Sequence, residues 1–375
     1  MNREEFKIYL AARLATLTDE ERTEVFNYFD ECLDEAVENG EDENEAIERL
    51  GDPDEVAGQL LADREAKTAA PEQTAPYSSA FDPAGLLGVS VSARHAGISV
   101  TSTATDTVRV RYDVHKGEDF SADIEDGVLV VRERVPQHWM LWLRAIINLG
   151  WEGKRWIIDI NLPKQFDGFV ELESSNHAVS VERVSVGSLS AQTSNGKLIV
   201  DGVKAAGEIT EISSNGKTSL RNSTANGNVR VETSNGRAEA DSVECRGEMT
   251  VRTSNGRVQI ERCNAASIKA KTSNGGATLA QVKVDKELTV KTSNGSIEVD
   301  AVGAGELLKL ISSNASITGR LSGSISQYTI ITRTSNGKAL PPSGGNGPTR
   351  LEAITSNGRI GLEFEKPYRL TFSDD

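Results

Sequence analysis

Along the last two-thirds of the chain, apolar and polar residues alternate in short runs, and the runs come back at a fixed interval. Each interval is marked by Ser-Asn-Gly or a close variant, with its Asn at Asn176, Asn195, Asn215, Asn235, Asn255, Asn274, Asn294, Asn314, Asn336 and Asn357. The gaps are 19, 20, 20, 20, 19, 20, 20, 22 and 21 residues, the signature of a repeat array whose units bury their apolar faces against one another. Counted from the Asn as zero, position −6 is apolar (Leu189, Ile209, Val229, Met249, Ile268, Leu288, Leu308, Ile330, Leu351). Position −4 is mostly small or apolar (Ala191, Val231, Val251, Ala270, Val290, Leu310), and −2 is Thr or Ser. After the corner, +3 carries Leu198, Ala238, Val258, Ala277, Ile297, Ile317 and Ile360, and +5 carries Val200, Leu220, Ala240, Ile260, Leu279 and Val299. Alternation rich in β-branched residues and broken by Asn-Gly predicts strands with one buried face.

Each interval thus holds two short strands joined by the Ser-Asn-Gly corner, often with a second Gly opposite (Gly207, Gly227, Gly247). Asn-Gly supplies the positive φ that a tight corner demands. Alone it would suit antiparallel hairpins. The fixed period instead predicts a mainly β chain, a single-chain parallel β-solenoid of about 20 residues per coil, with the ten Asn amides stacked in a ladder. At a strand spacing of roughly 4.8 Å, ten coils make a rod of about 45 Å.

The period of the pattern changes upstream. Residues 1–67 read as a small all-α domain, with Phe6, Leu10, Leu14 and Leu17 on one stripe and Val25, Phe26, Phe29, Leu33 and Val37 on another. Thr18 with Glu21 forms a capping box and Gly40 a stop. A third helix holds Ala46, Ile47 and Leu50, and Asp52-Pro53 opens a fourth. Residues 68–80 are small, polar and Pro-containing, and read as a linker. Residues 81–170 are an irregular β region without the corner motif, and 171–375 hold the repeats.

All four tryptophans lie in a segment within that irregular region, at 138–156. Trp139, Trp142, Ile146 and Leu149 fall on one helical face, with Trp151 just beyond. Three readings stand: a cap over apolar coil surface, an interfacial membrane contact, or a docking site for a protein. The cap is the default, because aromatic stripes usually prove to be core.

Charge is divided unequally. The first 75 residues hold 22 acids and 7 bases, whereas the other 300 hold 34 of each, so the whole net charge of −15 belongs to the helical part. Such a run is most often a solvated face; its sharper reading is a docking surface for a basic protein partner. Nucleic-acid phosphate would be repelled there. Cys32, Cys245 and Cys263 form no even framework, which points to a reducing compartment. There is no signal peptide and no 18-residue apolar run, so the expected location is cytoplasmic, with membrane association through 138–156 as the variant.

The N-terminal run, from Asn2-Arg3-Glu4-Glu5-Phe6 to Leu50-Gly51-Asp52-Pro53-Asp54-Glu55-Val56-Ala57, resembles the bacterial HAAS signalling domain. That family is commonly found with PadR-type transcription regulators and with envelope proteins. The repeats resemble the bacterial "putative adhesin" family, a domain of unknown function with Ser-Asn-Gly corners. The resemblance implies a scaffold or interaction role in cell-envelope stress or signalling, with a regulator or envelope component bound by the helical domain. The alternative is an adhesin or carbohydrate-binding surface protein.

Enzymatic chemistry finds little purchase. His95, His115, His138 and His177 are scattered, so no metal or cofactor is expected, and Gly216-Lys217-Thr218 lacks the first glycine of a phosphate loop. A polysaccharide-cleaving solenoid would need two carboxylates facing one groove. Position +6 carries Glu182, Asp201, Asp241, Glu261 and Asp300, but Arg221 and Arg320 interrupt the column. Lys197, Lys217, Arg237, Arg257, Lys338 and Arg359 fill +2. The expectation is a non-enzymatic protein.

Overall fold

The computed structural model describes residues 3–18, 22–23, 25–26, 29–30, 33, 42–50, 52–54, 56–58, 61, 77–94, 96–112, 120–133 and 157–365. The chain forms two compact units, with the first of their boundaries between Ala75 and Pro76. The first is helical, with α1 at Arg3–Arg13 and α2 at Glu43–Leu50. Its core is formed by the predicted stripes: Phe6, Leu10, Leu14, Leu17, Val25, Phe29, Leu33, Ala46, Ile47, Val56 and Ala57 are buried, and Phe26 is partly so. Phe6 and Phe29 meet edge to face at 5.3 Å. The Asp52 carboxylate accepts from the Asp54 N–H at 2.7 Å, satisfying an orphan donor at the helix start. Val37 and Glu21 lie outside the described residues.

The second unit is the solenoid. Its repeat strands pair in parallel with equivalent positions in register, so Leu189, Ile209, Val229 and Met249 form one continuous column. Val251, Ile260 and Val290 face inward and are buried, whereas Arg252 and Lys291, each next in sequence to one of them, are exposed. The axis is therefore filled by a thin core of Val, Ile, Leu and Ala.

Each coil has three sides, not two. A second bend falls at +7, where Arg183, Gly202, Asn222, Ser242, Arg262, Gln281 and Ala301 all take positive φ between 48° and 71°. The bend carries no residue signature because its conformation is imposed from outside: at Arg183, Gly202, Asn222, Ser242 and Arg262 the +7 N–H donates to the +6 carbonyl of the next coil. Arg183 to Asp201 (2.8 Å) and Ser242 to Glu261 (2.9 Å) are examples. A left-handed L-residue costs roughly 1–2 kcal/mol, which these bonds offset. Ala301→Gly (φ 52°) is therefore expected to raise stability by about 1 kcal/mol, read as a higher denaturant midpoint. A drop on adding this glycine would contradict the assignment.

Stacking follows the sequence through the middle and departs from it at both ends. Among the described residues, seven strands precede the repeats: β1 Tyr77–Phe81, β2 Gly88–Ala93, β3 Gly97–Thr103, β4 Val108–Tyr112, β5 Phe120–Glu125, β6 Val128–Glu133 and β7 Ile157–Pro163. The β2/β3 level sits directly against the Asn176 coil, and β6/β7, later in sequence, lies outside it. Beyond β7 the sheet continues antiparallel through β4 and then β1. Strand β1 corrects the expected linker, which is strand from Tyr77; Tyr77 stacks on Tyr112 at 4.4 Å, and that contact draws it onto the sheet.

At the other end the Asn357 coil is inserted between those of Asn314 and Asn336. The outermost strand, Tyr328–Thr334, is then covered by residues 341–347. Ile330 and Gly344 exchange backbone bonds of 2.7 and 3.0 Å, and Ser343 Oγ accepts from the Thr332 N–H at 3.0 Å. Covering an open edge in this way prevents pairing with a second molecule.

Candidate functional site

The repeated corner is the feature that sequence and structure single out together. The Asn Nδ2 of each coil donates to the Oδ1 of the Asn below, at 2.6–2.8 Å, from Asn195 on Asn176 through Asn314 on Asn294. The ladder then follows the exchanged order: Asn357 donates to Asn314 at 2.8 Å and Asn336 to Asn357 at 2.7 Å. All ten amides are exposed and all ten belong to one chain of bonds.

The Thr or Ser at −2 builds the buried side of the corner. Thr253 Oγ1 donates to the Gly236 carbonyl in the coil below at 3.0 Å and accepts from its own coil's Gly256 N–H at 3.1 Å. Thr233, Thr272 and Thr292 do the same. The glycine at +1 corrects the expectation of positive φ, since none of these corner glycines adopts it. Gly is needed for closeness: a Cβ on Gly216, Gly236 or Gly256 would sit 1.6, 1.9 or 1.8 Å from the carbonyl oxygen beneath. His177 takes this place where no Asn corner lies below.

Polar groups outside the corner fall into three groups. On the strand face after it, Glu239 is nearly buried and is gripped by Lys217 (2.7 Å), Arg237 (3.2 Å) and Arg221 (3.3 Å). Burial works against its charge, but these hydrogen bonds outweigh burial and hold the carboxyl below the ordinary range. The +6 column is tied up as well. Arg262 bridges Asp241 and Glu261, Asn222 donates to Asp201 at 2.8 Å, and Arg320 pairs with Asp300 at 2.8 Å. A shallow cleft of about 270 Å³ is lined by Lys217, Arg221, Arg237, Glu239, Asp241 and Glu261.

Inside the coil of Asn215, sequence reasoning missed a polar group. Glu211 occupies −4, where other coils place Ala191, Val231 and Val251, and it is fully buried. Neither of its oxygens has a hydrogen-bond partner, nor does buried Thr218 Oγ1 in the same coil. Desolvation pushes the Glu211 carboxyl well above the usual range, favouring its protonated form. Cys245 and Cys263 are free and buried, and burial raises the Cys263 thiol to about 11.

Trp139, Trp142, Ile146, Leu149 and Trp151 lie outside the described residues. The strands that flank them are placed: β6 ends alongside the end of β2 and β7 begins alongside the start of β3. Among the described residues, no group of three or more His, Cys, Asp or Glu is placed to hold a metal ion, and no helix is long and apolar enough to cross a membrane.

Comparison with known proteins gives two family matches: Toastrack DUF4097 over residues 89–363 and HAAS over residues 9–59. A search of curated proteins finds no match. Among solved structures, a "putative cell adhesion protein" of Clostridium sporogenes is 11% identical and covers 78% of this chain and 99% of its own (TM-score 0.19). A "putative adhesin" of Bacteroides fragilis is 11% identical, covering 78% and 98% (TM-score 0.32). A "putative lipid binding protein" of Parabacteroides distasonis is 13% identical, covering 77% and 97% (TM-score 0.24).

Proposed function

Since the chain belongs to the Toastrack DUF4097 family and carries a HAAS match ahead of it, we propose that it is a non-enzymatic interaction scaffold. In this reading the acidic helical unit docks a regulator or an envelope component from the cytoplasmic side. The solenoid then supplies a rigid, repetitive face in cell-envelope signalling. The observation that carries the scaffold role is the unbroken Asn ladder, which joins ten coils into one stiff element with the same chemistry facing outward at each level. Two further features support it. The paired carboxylates that hydrolysis would need are already bridged by Arg262. On α1, Ile8 (67% exposed) and Tyr9 (54%) stand among Glu4 and Glu5, an apolar patch within an acidic surface.

The exposed, identical corners equally suit an adhesin-like surface role, and location separates the two. Protease applied to intact cells spares the protein in the first reading and degrades it in the second. Cross-linking of the full chain in cells tests the docking role. The expected cross-links map to residues before 76 and disappear in an Ile8→Ser/Tyr9→Ser variant, whose changes are exposed and leave the fold intact. Unchanged cross-links in that variant would overturn the assignment of the surface.

A further inference from the structure

Four successive coils place a cation at the same point of the corner edge. Two residues past each Asn stand Lys197, Lys217, Arg237 and Arg257, and the strands they lead are paired in register. Levels in a parallel sheet are about 4.8 Å apart, and like charges opposite one another at that distance are destabilising. The fold does not require this arrangement, because the next coils hold Gly276, Ser296 and Ser316 at the same point. Relief within the chain is partial. Lys217 and Arg237 share Glu239, whereas Lys197 and Arg257, at the two ends of the row, are exposed and form no ion pair among the described residues.

Neutral hydrogen-bonding groups run alongside. Each corner Asn gives one amide N–H to the ladder, which leaves the second N–H of an exposed side chain available to an acceptor. The Ser at −1 is Ser in every repeat, yet the Ser hydroxyls of these four coils engage no protein group among the described residues. The stacking and the −2 hydroxyl account for Asn, Gly and Thr; nothing in the coil accounts for this Ser. At the far end of the same strands stand Asp201, Arg221, Asp241 and Glu261, a mixed column, so the unbroken row of cations is confined to the corner edge.

We infer that the corner edge of the Asn195–Asn255 coils binds a linear acidic polysaccharide in single file, with its carboxylates on the cation row and its hydroxyls on the Ser and Asn rows. One cation, one amide donor and one hydroxyl per level match one carboxylated sugar per level, since the coil spacing is close to the length of a pyranose in an extended chain. A nucleic-acid duplex fits less well. It presents a charge every roughly 1.7 Å of axis on a curved cylinder, and a straight row with one cation per level meets few of them. The inference concerns the solenoid alone and does not depend on what the helical unit docks.

The test is titration of the full-length protein with a short oligogalacturonate, a neutral cello-oligosaccharide of equal length, and a DNA duplex. Oligogalacturonate is expected to bind and the neutral chain not to. A Lys197→Gln/Arg257→Gln variant should weaken binding roughly tenfold, about two modest charge contacts, while unfolding at an unchanged or slightly higher temperature. Lys204→Gln/Lys283→Gln, which removes two exposed cations from the third side of the coil, should leave binding unaltered. Absence of oligogalacturonate binding, equal weakening by both double variants, or equally tight binding of the duplex would each overturn the proposal.

Discussion

Gly236→Val should lower the stability of the solenoid by about 3 kcal/mol or more, at the upper end of what overpacking costs. Its Cβ would lie 1.9 Å from the Gly216 carbonyl oxygen and 2.5 Å from the carbon. Both atoms are backbone, so relief requires the two coils to separate. Separation breaks what the corner builds: the Thr233 hydroxyl bond to Gly216 at 3.0 Å and the Asn235 amide bond to Asn215 at 2.6 Å. Each lost bond adds about 1 kcal/mol to the steric cost. Ala315 shows that one methyl is accommodated at +1 of the Asn314 coil, which is why the branched side chain in the middle of the ladder is the sharper variant. Gly303→Ala is the comparison. Its Cβ would meet Ser322 Cβ at 3.3 Å, a side chain that can shift, and a loss below about 1 kcal/mol is expected. Urea unfolding distinguishes the two, and similar midpoints for both variants would show that corner glycines are not held by close approach.

The same corner shows what the sequence could and could not reveal. The period, the inward positions and the axial ladder were legible because each depends on one residue type recurring at one place. The reason for the glycine was not, since positive φ and close backbone approach both select Gly and leave the same letter. The +7 bend was hidden for the opposite reason. Arg183, Asn222 and Ser242 share a conformation fixed by the neighbouring coil's carbonyl and share no side-chain property. Coil order at the ends is likewise invisible to pattern, because Leu351 and Ile330 are equally good partners for Leu308. The only trace is the lengthened spacing around Asn336. Among candidate site residues, the +6 carboxylates were legible as a column. Their bridging by Arg262 was not, because the arginine belongs to the bend rather than to the strand.

Glu211→Leu should stabilise the protein, by about 1–3 kcal/mol near neutral pH. The wild-type side chain is fully buried between Ala191 and Val231 with both oxygens unpartnered, and an unpaired buried polar group costs about that much in proteins. Leucine is close in volume and already serves at the same position in Leu310. The pH dependence identifies the cause. Burial raises the folded-state pKa of Glu211 above the ordinary 4.5, so the unfolded chain gives up this proton at lower pH than the folded one. Below about pH 4.5 the carboxyl is protonated in both states and titration costs nothing. As pH rises above that value the unfolded state is increasingly favoured, until the folded pKa is reached. The advantage of Glu211→Leu should therefore be smallest near pH 4 and grow through this window. Glu211→Gln separates the two contributions: it removes the pH-dependent part and leaves the cost of an unpaired polar group. Thermal unfolding of the three proteins at several pH values measures both. A Glu211→Leu protein that is less stable than wild type at every pH, or whose gain is flat with pH, would mean that Glu211 has a partner inside the coil.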